Sequence, residues 1–232
     1  MTSQAAHNVL VVGSGKLAKE LLQDLSGPRI AGVRPWSRRD NLADPSSVVV
    51  HAGSGREWND VVATCEAAGS LLVELATGNP LLDRDWTIPV VVCPNVNLLI
   101  LKFMAMVSSH GIAFQDCLID LVESHQASKT SAPGTAYELA DALGLDRRDV
   151  RSVRDPRVQE DDLGIPAEHL ERHAYHRISI QDGAAKLVLE TTVLGEAPYA
   201  PGLARILDGL ASRELAPGVH SVVDLVGRGW VR

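Results

Sequence analysis

The stretch ESHQASKTSAPGTA, residues 123–136, places His125 four residues before Lys129 and then opens a helix-forming segment at Gly134-Thr135. Histidine is the side chain that titrates nearest neutral pH, so His125 is a candidate proton donor. A helix beginning at Gly134 offers unpaired N–H groups to a carboxylate, with the Thr135 hydroxyl and the Lys129 ammonium as further partners. Hydride delivery to a C=N or conjugated C=C bond leaves charge that such a proton neutralises. On spacing alone a surface-loop histidine is the simpler reading, so the rest of the chain has to supply the context.

A second constellation lies near the amino terminus. Gly13-Ser-Gly15-Lys16-Leu17-Ala18 is G-x-G-x-x-A, set directly between an apolar run and a helical pattern. In a dinucleotide site the first glycine allows the tight turn, and the second lets backbone approach a pyrophosphate. The small third residue lets helix pack on strand, and the pyrophosphate rests on the helix N-terminus. The alternative is a structural turn that binds no cofactor. Roughly 20 residues further on, an NAD site usually presents a carboxylate to the ribose. Here Ser37, Arg38 and Arg39 stand instead and would suit a 2′-phosphate. NADPH is therefore the favoured coenzyme, and Asp40 leaves NADH open.

These residues need a scaffold, and the hydrophobic pattern supplies one. Apolar runs at 8–12, 30–33, 47–51, 70–75 and 88–93 alternate with helical patterns at 16–25 and 57–68. That rhythm predicts a parallel sheet with helices on its faces. A long, largely buried helix is expected over 97–113. Beyond it the pattern predicts a strand over 117–123, a helix over 134–144, a charged loop over 147–166 and a hairpin turning at Asp182-Gly183. A helix over 200–211 and a last strand from Gly218 through Val226 complete the chain. The fold class expected is α/β, a Rossmann-type doubly wound parallel sheet, with a second α+β domain for substrate binding and oligomerisation. The nucleotide domain is assigned to 1–96 with 204–232, and the substrate domain to 97–203.

Composition narrows the function. The 232 residues are 45% hydrophobic and 22% charged, enough to fill a core and ordinary for a soluble protein. A formal net charge of −7 argues against a general nucleic-acid binder. Cys65, Cys93 and Cys117 are odd in number and widely spaced, which suggests neither a disulfide framework nor a zinc site. The first residues lack a signal-peptide profile, and the apolar run 98–107 is too short to span a bilayer. A cytoplasmic protein without membrane partners is expected. His169, His173 and His176 cluster near Glu168 and Glu171, but their spacing fits no ligand pattern, so no metal is assigned. Helical, solvated positions are expected for His169 and His173. Glu74, inside a strand, needs a partner, a cofactor cleft or an edge position.

Residues 123–136 resemble the dihydrodipicolinate reductase signature, approximately E-x-H-H-x-x-K-x-D-A-P-S-G-T-A. The glycine turn at 13–18, Ala76-Thr77-Gly78 (usually G-T-T-G) and Cys93-Pro94-Asn95-Val96-Asn97 (usually A-P-N-F-S) follow the family's order. Residues 186–203 resemble its closing strand and return helix. The resemblance implies a two-domain NAD(P)H reductase of lysine biosynthesis acting on a small carboxylated cyclic substrate, usually as a homotetramer; a homodimer is the other oligomer considered. It makes His125 the proton donor and Lys129 the carboxylate anchor. Gly134, Thr135 and Gln126 would meet the substrate. Gly13, Gly15, Lys16 and Leu17 would meet the pyrophosphate, with Ala76, Thr77, Gly78, Pro94 and Asn95 lining the nicotinamide side.

Several positions depart from the family pattern. Gln126 replaces the second histidine, Ser131 the aspartate, and the serine before Gly134 is absent. His51-Ala52-Gly53 stands for D-F-T, Leu75 for the first glycine of G-T-T-G, and Glu196 for a frequent arginine. The groups expected to grip a dicarboxylate are thinned while the reduction chemistry is kept. Three alternatives follow: an imine or enamine reductase of specialised metabolism, a non-catalytic NADPH-binding module, and an amino-acid dehydrogenase.

Overall fold

The computed structural model describes residues 6–38, 45–53, 55–76, 84–130, 132–195 and 198–231. In chain order the elements begin with β1 (His7–Val12), α1 (Lys16–Asp24), β2 (Ile30–Pro35), β3 (Val48–His51), α2 (Trp58–Ala68), β4 (Leu71–Glu74) and β5 (Pro89–Val92). Next come α3 (Leu98–His110), β6 (Leu118–His125), α4 (Gly134–Leu143), β7 (Arg151–Val153), α5 (Pro156–Asp161), β8 (His173–Asp182) and β9 (Ala185–Leu194). The last three are α6 (Ala200–Ala211), β10 (Gly218–Ser221) and α7 (Val222–Gly227). They divide between two compact units, residues 1–102 with 199–232, and residues 103–198. Residues 97–102 and 199–203 thus cluster with the first unit. Backbone fit is one reason: a Cβ on Gly202 of α6 would run into the Val96 carbonyl.

In the first unit every strand pairing is parallel and the order is β10-β5-β4-β3-β1-β2. Strands buried on both faces read as unbroken apolar runs, which is why Val9–Val12 and Val48–Val50 show no alternation. Helix α2 buries Trp58, Val61, Val62 and Cys65, an i, i+3, i+4, i+7 stripe, against Leu10, Val49 and Leu72 of the sheet. The order reverses between β1 and β3. Ligands of such sheets bind outside the carboxyl ends of the strands at that reversal.

The second unit holds a mixed sheet, β7-β6-β8-β9, with β6 parallel to β7 and antiparallel to β8, and β8 antiparallel to β9. Leu121 and Ile178 face a covered side, while Asp120, Arg177, Ser179 and Glu190 line an open groove on the other. The expected architecture, a Rossmann-type parallel sheet plus a second α+β unit, is what the structure has.

Four local expectations are corrected. The hairpin turn is Gly183-Ala184, because Asp182 already pairs with Ala185. Residues 222–227 form helix α7 rather than strand; Ser221 caps it by accepting from the Asp224 N–H at 3.5 Å. The segment 147–166 is not simply loop. It contains β7 and α5, the latter capped by Asp155 accepting from the Arg157 N–H, with Pro156 in the first turn. His173 is not helical and solvated but opens β8, buried, while His169 ends a short 3-10 turn. Among the described residues no helix is long and apolar enough to cross a membrane.

Candidate active site

In the first unit the glycine turn has the geometry a phosphate cradle requires. Gly13 adopts φ +122°, and a Cβ there would stand 2.5 Å from the Ala52 carbonyl oxygen, so no other residue fits. A Cβ on Gly15 would meet no described atom within 4 Å. That glycine answers no packing demand within the protein, and it leaves its backbone open to close approach. Gly15 is also the N-cap of α1, which carries neither a side-chain cap nor an acidic residue in its first turn. The N–H groups and dipole at this end therefore suit an anion. Lys16 is exposed there and Leu17 half-buried.

Ser37 and Arg38 follow β2 and are exposed, with Arg38 Nε 2.8 Å from Asp60 Oδ2 of α2. A 2′-phosphate at Arg38 would compete with that carboxylate. Arg39, Thr77 and Gly78 lie outside the described residues. Ala76 is present, its N–H donating to Glu74 Oε1 at 2.6 Å. Asn95 Oδ1 accepts from the Asn97 N–H at 2.8 Å, shaping the turn after Pro94 that leads to α3. Glu74 lies in an interior strand and has its partner in His51, both side chains being fully buried.

The second unit gathers the catalytic candidates around a strand end. The sequence pattern stops the strand at residue 123, whereas β6 runs to His125. His125 is thus no loop residue; it shares a face with Glu123, two places back. Its Nδ1 lies 2.7 Å from Glu123 Oε2. The other carboxylate oxygen accepts from Arg154 Nη2 at 2.7 Å. Burial works to raise the Glu123 pKa, but hydrogen bonds from His125, Arg154 and Ser152 outweigh it and hold the carboxyl at about 2. An ionised Glu123 can only accept, so the proton shared with His125 resides on Nδ1. Nε2 is then the atom left for proton exchange.

Burial lowers the His125 pKa; the bond and charge of Glu123 pull it up, while Lys129 and Arg154 push it down. Lys129 is itself lowered by burial, with Glu123 opposing and Arg154 assisting. Two fixed cations and one carboxylate therefore surround the imidazole, an excess of positive charge suited to an anionic substrate. The Gln126 carbonyl accepts from the Lys129 N–H at 3.0 Å, which closes a turn carrying the lysine back. Gly134 and the buried Thr135 begin α4, whose N-terminus has no side-chain cap among the described residues and no acid in its first turn; the Gly134 N–H, expected unpaired, donates to the Ala132 carbonyl at 3.0 Å.

Residues that the sequence pattern did not assign to this site complete the setting. His176 lies directly across from Glu123 in the β6–β8 register, its ring edge-on to His125 at 5.9 Å. Burial, assisted by the charge of His125, pushes its pKa down to about 3, so it stays neutral. On the opposite face, Gln159 Nε2 donates to the His125 carbonyl at 2.8 Å and to Ser124 Oγ at 3.0 Å. Ser124 lies 2.9 Å from His173 Nε2, and His173 Nδ1 lies 3.1 Å from the His169 carbonyl. A carbonyl can only accept, so His173 carries its proton on Nδ1 and Ser124 donates to Nε2. Glu123 could have been found from strand alternation. Arg154, Gln159 and His176 arrive through tertiary contacts that no local pattern marks.

The parallel sheet with its reversal at a glycine turn, joined to a mixed-sheet unit, is a Rossmann-type fold also found in a dihydrodipicolinate reductase. A dipicolinate-bound dihydrodipicolinate reductase from Paenisporosarcina sp. TG-14 superposes with TM-score 0.64 at 13% identity, covering 95% of this chain and 99% of that one. By sequence the chain is a distant homologue of the 4-hydroxy-tetrahydrodipicolinate reductases. It is 28% identical over 156 residues to chloroplastic reductase 1 of Arabidopsis thaliana, spanning 61% of this chain and 45% of that protein. It is 29% identical over 143 residues to the reductase of Chlamydia caviae, spanning 57% of each. The chain thus spans about half the length of these curated relatives. No protein-family model matches it.

Proposed function

We propose that this chain is an NAD(P)H-dependent reductase that adds hydride to a cyclic, carboxylated C=N or C=C substrate, with His125 as proton donor. The observation that carries the reading is the Glu123–His125 pair, flanked by the cations Lys129 and Arg154, on a fold that also presents an uncapped glycine turn. Gly13, Gly15, Lys16 and Leu17 would hold the coenzyme's pyrophosphate. Ala76, Pro94 and Asn95 would lie toward its nicotinamide, with Thr77 and Gly78 carried along from the sequence. The reduced nicotinamide supplies the hydride.

The chain's own residues do the rest. Lys129, with Gly134 and Thr135 at the start of α4, holds a substrate carboxylate, and Gln126 faces the ring. As hydride adds to carbon, the electron pair of the double bond moves to the neighbouring nitrogen or carbon, and His125 Nε2 gives that atom its proton. Glu123 keeps Nδ1 protonated throughout and stabilises the imidazolium before transfer. Ser37, Arg38 and Arg39 favour NADPH over NADH. The exposed Leu118 and Val188 and the unpaired edge of β9 support self-association through the second unit, as a homodimer or homotetramer; light scattering in solution tests this.

Coenzyme consumption with NADPH and NADH, assayed against freshly generated dihydrodipicolinate beside uncarboxylated cyclic imines, tests the function. Oxidation confined to the carboxylated substrates is expected. Faster turnover of a simple imine would favour a specialised-metabolism reductase, a reading supported by Gln126 and the shortened Ala-Pro-Gly-Thr loop. Tight coenzyme binding with no oxidation of any substrate defeats the catalytic reading.

A further inference from the structure

The pair formed by His51 and Glu74 has no counterpart in the reaction just described, and it is costly. Both side chains are fully buried, and both carboxylate oxygens lie 2.9 Å from His51 Nδ1. His51 Nε2 is buried without a hydrogen-bond partner among the described residues, edge-on beneath Trp58 at 5.2 Å. An apolar pair of similar volume would hold this spot at least as stably. Buried polar groups left partly unsatisfied call for another explanation.

Their place in the sheet supplies one. His51 is the last residue of β3 and Glu74 the last of β4, and the two face each other in register. With a pyrophosphate at the α1 N-terminus after β1, and Ser37 and Arg38 following β2 on one side, the second nucleoside must extend over the ends of β3 and β4. The pair lies under that path and ties its walls together. Glu74 Oε1 accepts from the Ala76 N–H, and the His51 carbonyl accepts from the Leu75 N–H at 2.9 Å. The next residue, Ala52, donates to the Val12 carbonyl at 2.8 Å and presents its own carbonyl to Gly13. A Cβ on Gly53 would stand 3.1 Å from His51 Nε2, so the imidazole also backs the loop leaving β3. The buried pair therefore joins the exits of β3 and β4, and the Ala52 backbone, next to His51, carries the connection on to β1.

We propose that His51 and Glu74 are a positioning pair that shapes the nicotinamide half of the coenzyme cradle and leaves the adenosine half untouched. This rests on the coenzyme reading above. The test is titration of NADPH and NADH beside the adenosine-side fragments 2′,5′-ADP and ADP, against the wild type and three variants. Glu74→Leu removes both acceptors. It is expected to weaken the preferred coenzyme about tenfold or more, the scale of one lost hydrogen bond, with its fragment unchanged within about twofold. Glu74→Gln keeps an acceptor for Ala76 and His51 and should stay near wild type. His51→Phe preserves the ring against Trp58 while removing the donor, and repeats the selective loss should Glu74→Leu fail to fold. Equal losses for coenzyme and fragment, or no loss in either disruptive variant, overturn the proposal. A wild type that binds no coenzyme overturns the reductase reading instead, and the two failures are told apart by that first titration.

Discussion

Each unit contains a histidine whose Nδ1 meets a glutamate carboxylate, and the two pairs are built differently. His51 and Glu74 come from neighbouring strands, and both are sealed. Glu123 and His125 come from one strand, two residues apart; the glutamate is sealed but the histidine keeps 16% of its side chain exposed. The carboxylate of the first pair also accepts from a backbone N–H, and that of the second from a guanidinium. A backbone partner fixes a loop, whereas a cationic partner keeps the carboxylate ionised and the imidazole correctly protonated. In the roles proposed above, the same two residue types serve as a brace in one setting and as an acid–base centre in the other. Access for a reactant decides which.

The sharpest way to break this contrast is to truncate the two histidines separately. His125→Ala should cut turnover by about 10²–10⁴-fold, the usual worth of a positioned acid. Its coenzyme dissociation constant, measured by titration, should match wild type. A variant of His125 that turns over normally removes the proton-donor assignment.

Glu123→Gln probes the same pair more gently. The carboxylate pulls the His125 pKa up, so its loss should shift the alkaline limb of the kcat/KM profile to lower pH and reduce the rate at neutrality. An unmoved limb separates Glu123 from the chemistry.

Stability at low pH distinguishes the second unit further. Glu123, held at about 2, contributes stability that is present above its ordinary range near 4.5 and lost as pH falls toward 2. His176, kept neutral down to about 3, acts in the same direction. Its unfolded form takes up a proton below about 6.5, so stability declines from there toward 3. His176→Phe should flatten the acid side of a urea-midpoint series between those limits while leaving the Glu123 contribution in place.

The smallest effect concerns the coenzyme end. Asp60→Asn releases Arg38 from an exposed pair worth at most about 1 kcal/mol. The NADPH-to-NADH preference, read from kcat/KM for each, should therefore rise by no more than about fivefold.

What was readable in the sequence follows the range of the forces involved. The strand–helix alternation, the Gly13–Ala18 turn and the helix opening at Gly134 are local, governed by hydrophobic period and backbone sterics. The local pattern ends β6 at Glu123, because Ser, His and Gln follow. Yet alternation continues to His125, held by pairing with Ala174 that only the folded sheet supplies. Val222–Val226 looks extended because valines dominate, although Ser221-Val-Val-Asp224 carries a helix-capping spacing. The partners that tune the candidate centre were not legible: Arg154 reaches Glu123 across 31 residues and His173 reaches Ser124 across 49. His51 and Glu74, 23 residues apart, become partners only through the side-by-side pairing of β3 and β4.

Glu20 of α1 carries a consequence for how the chain is made. Its buried carboxylate accepts the N–H groups of Tyr199 and Ala200, at 2.6 and 2.9 Å, where the backbone rejoins the first unit. Edge strand β10 and helices α6 and α7 arrive with that return. On the ribosome, the first unit therefore starts before the second and finishes after it. Residues 103–198 must emerge before its sheet acquires a sixth strand and its leading helix gains these two partners.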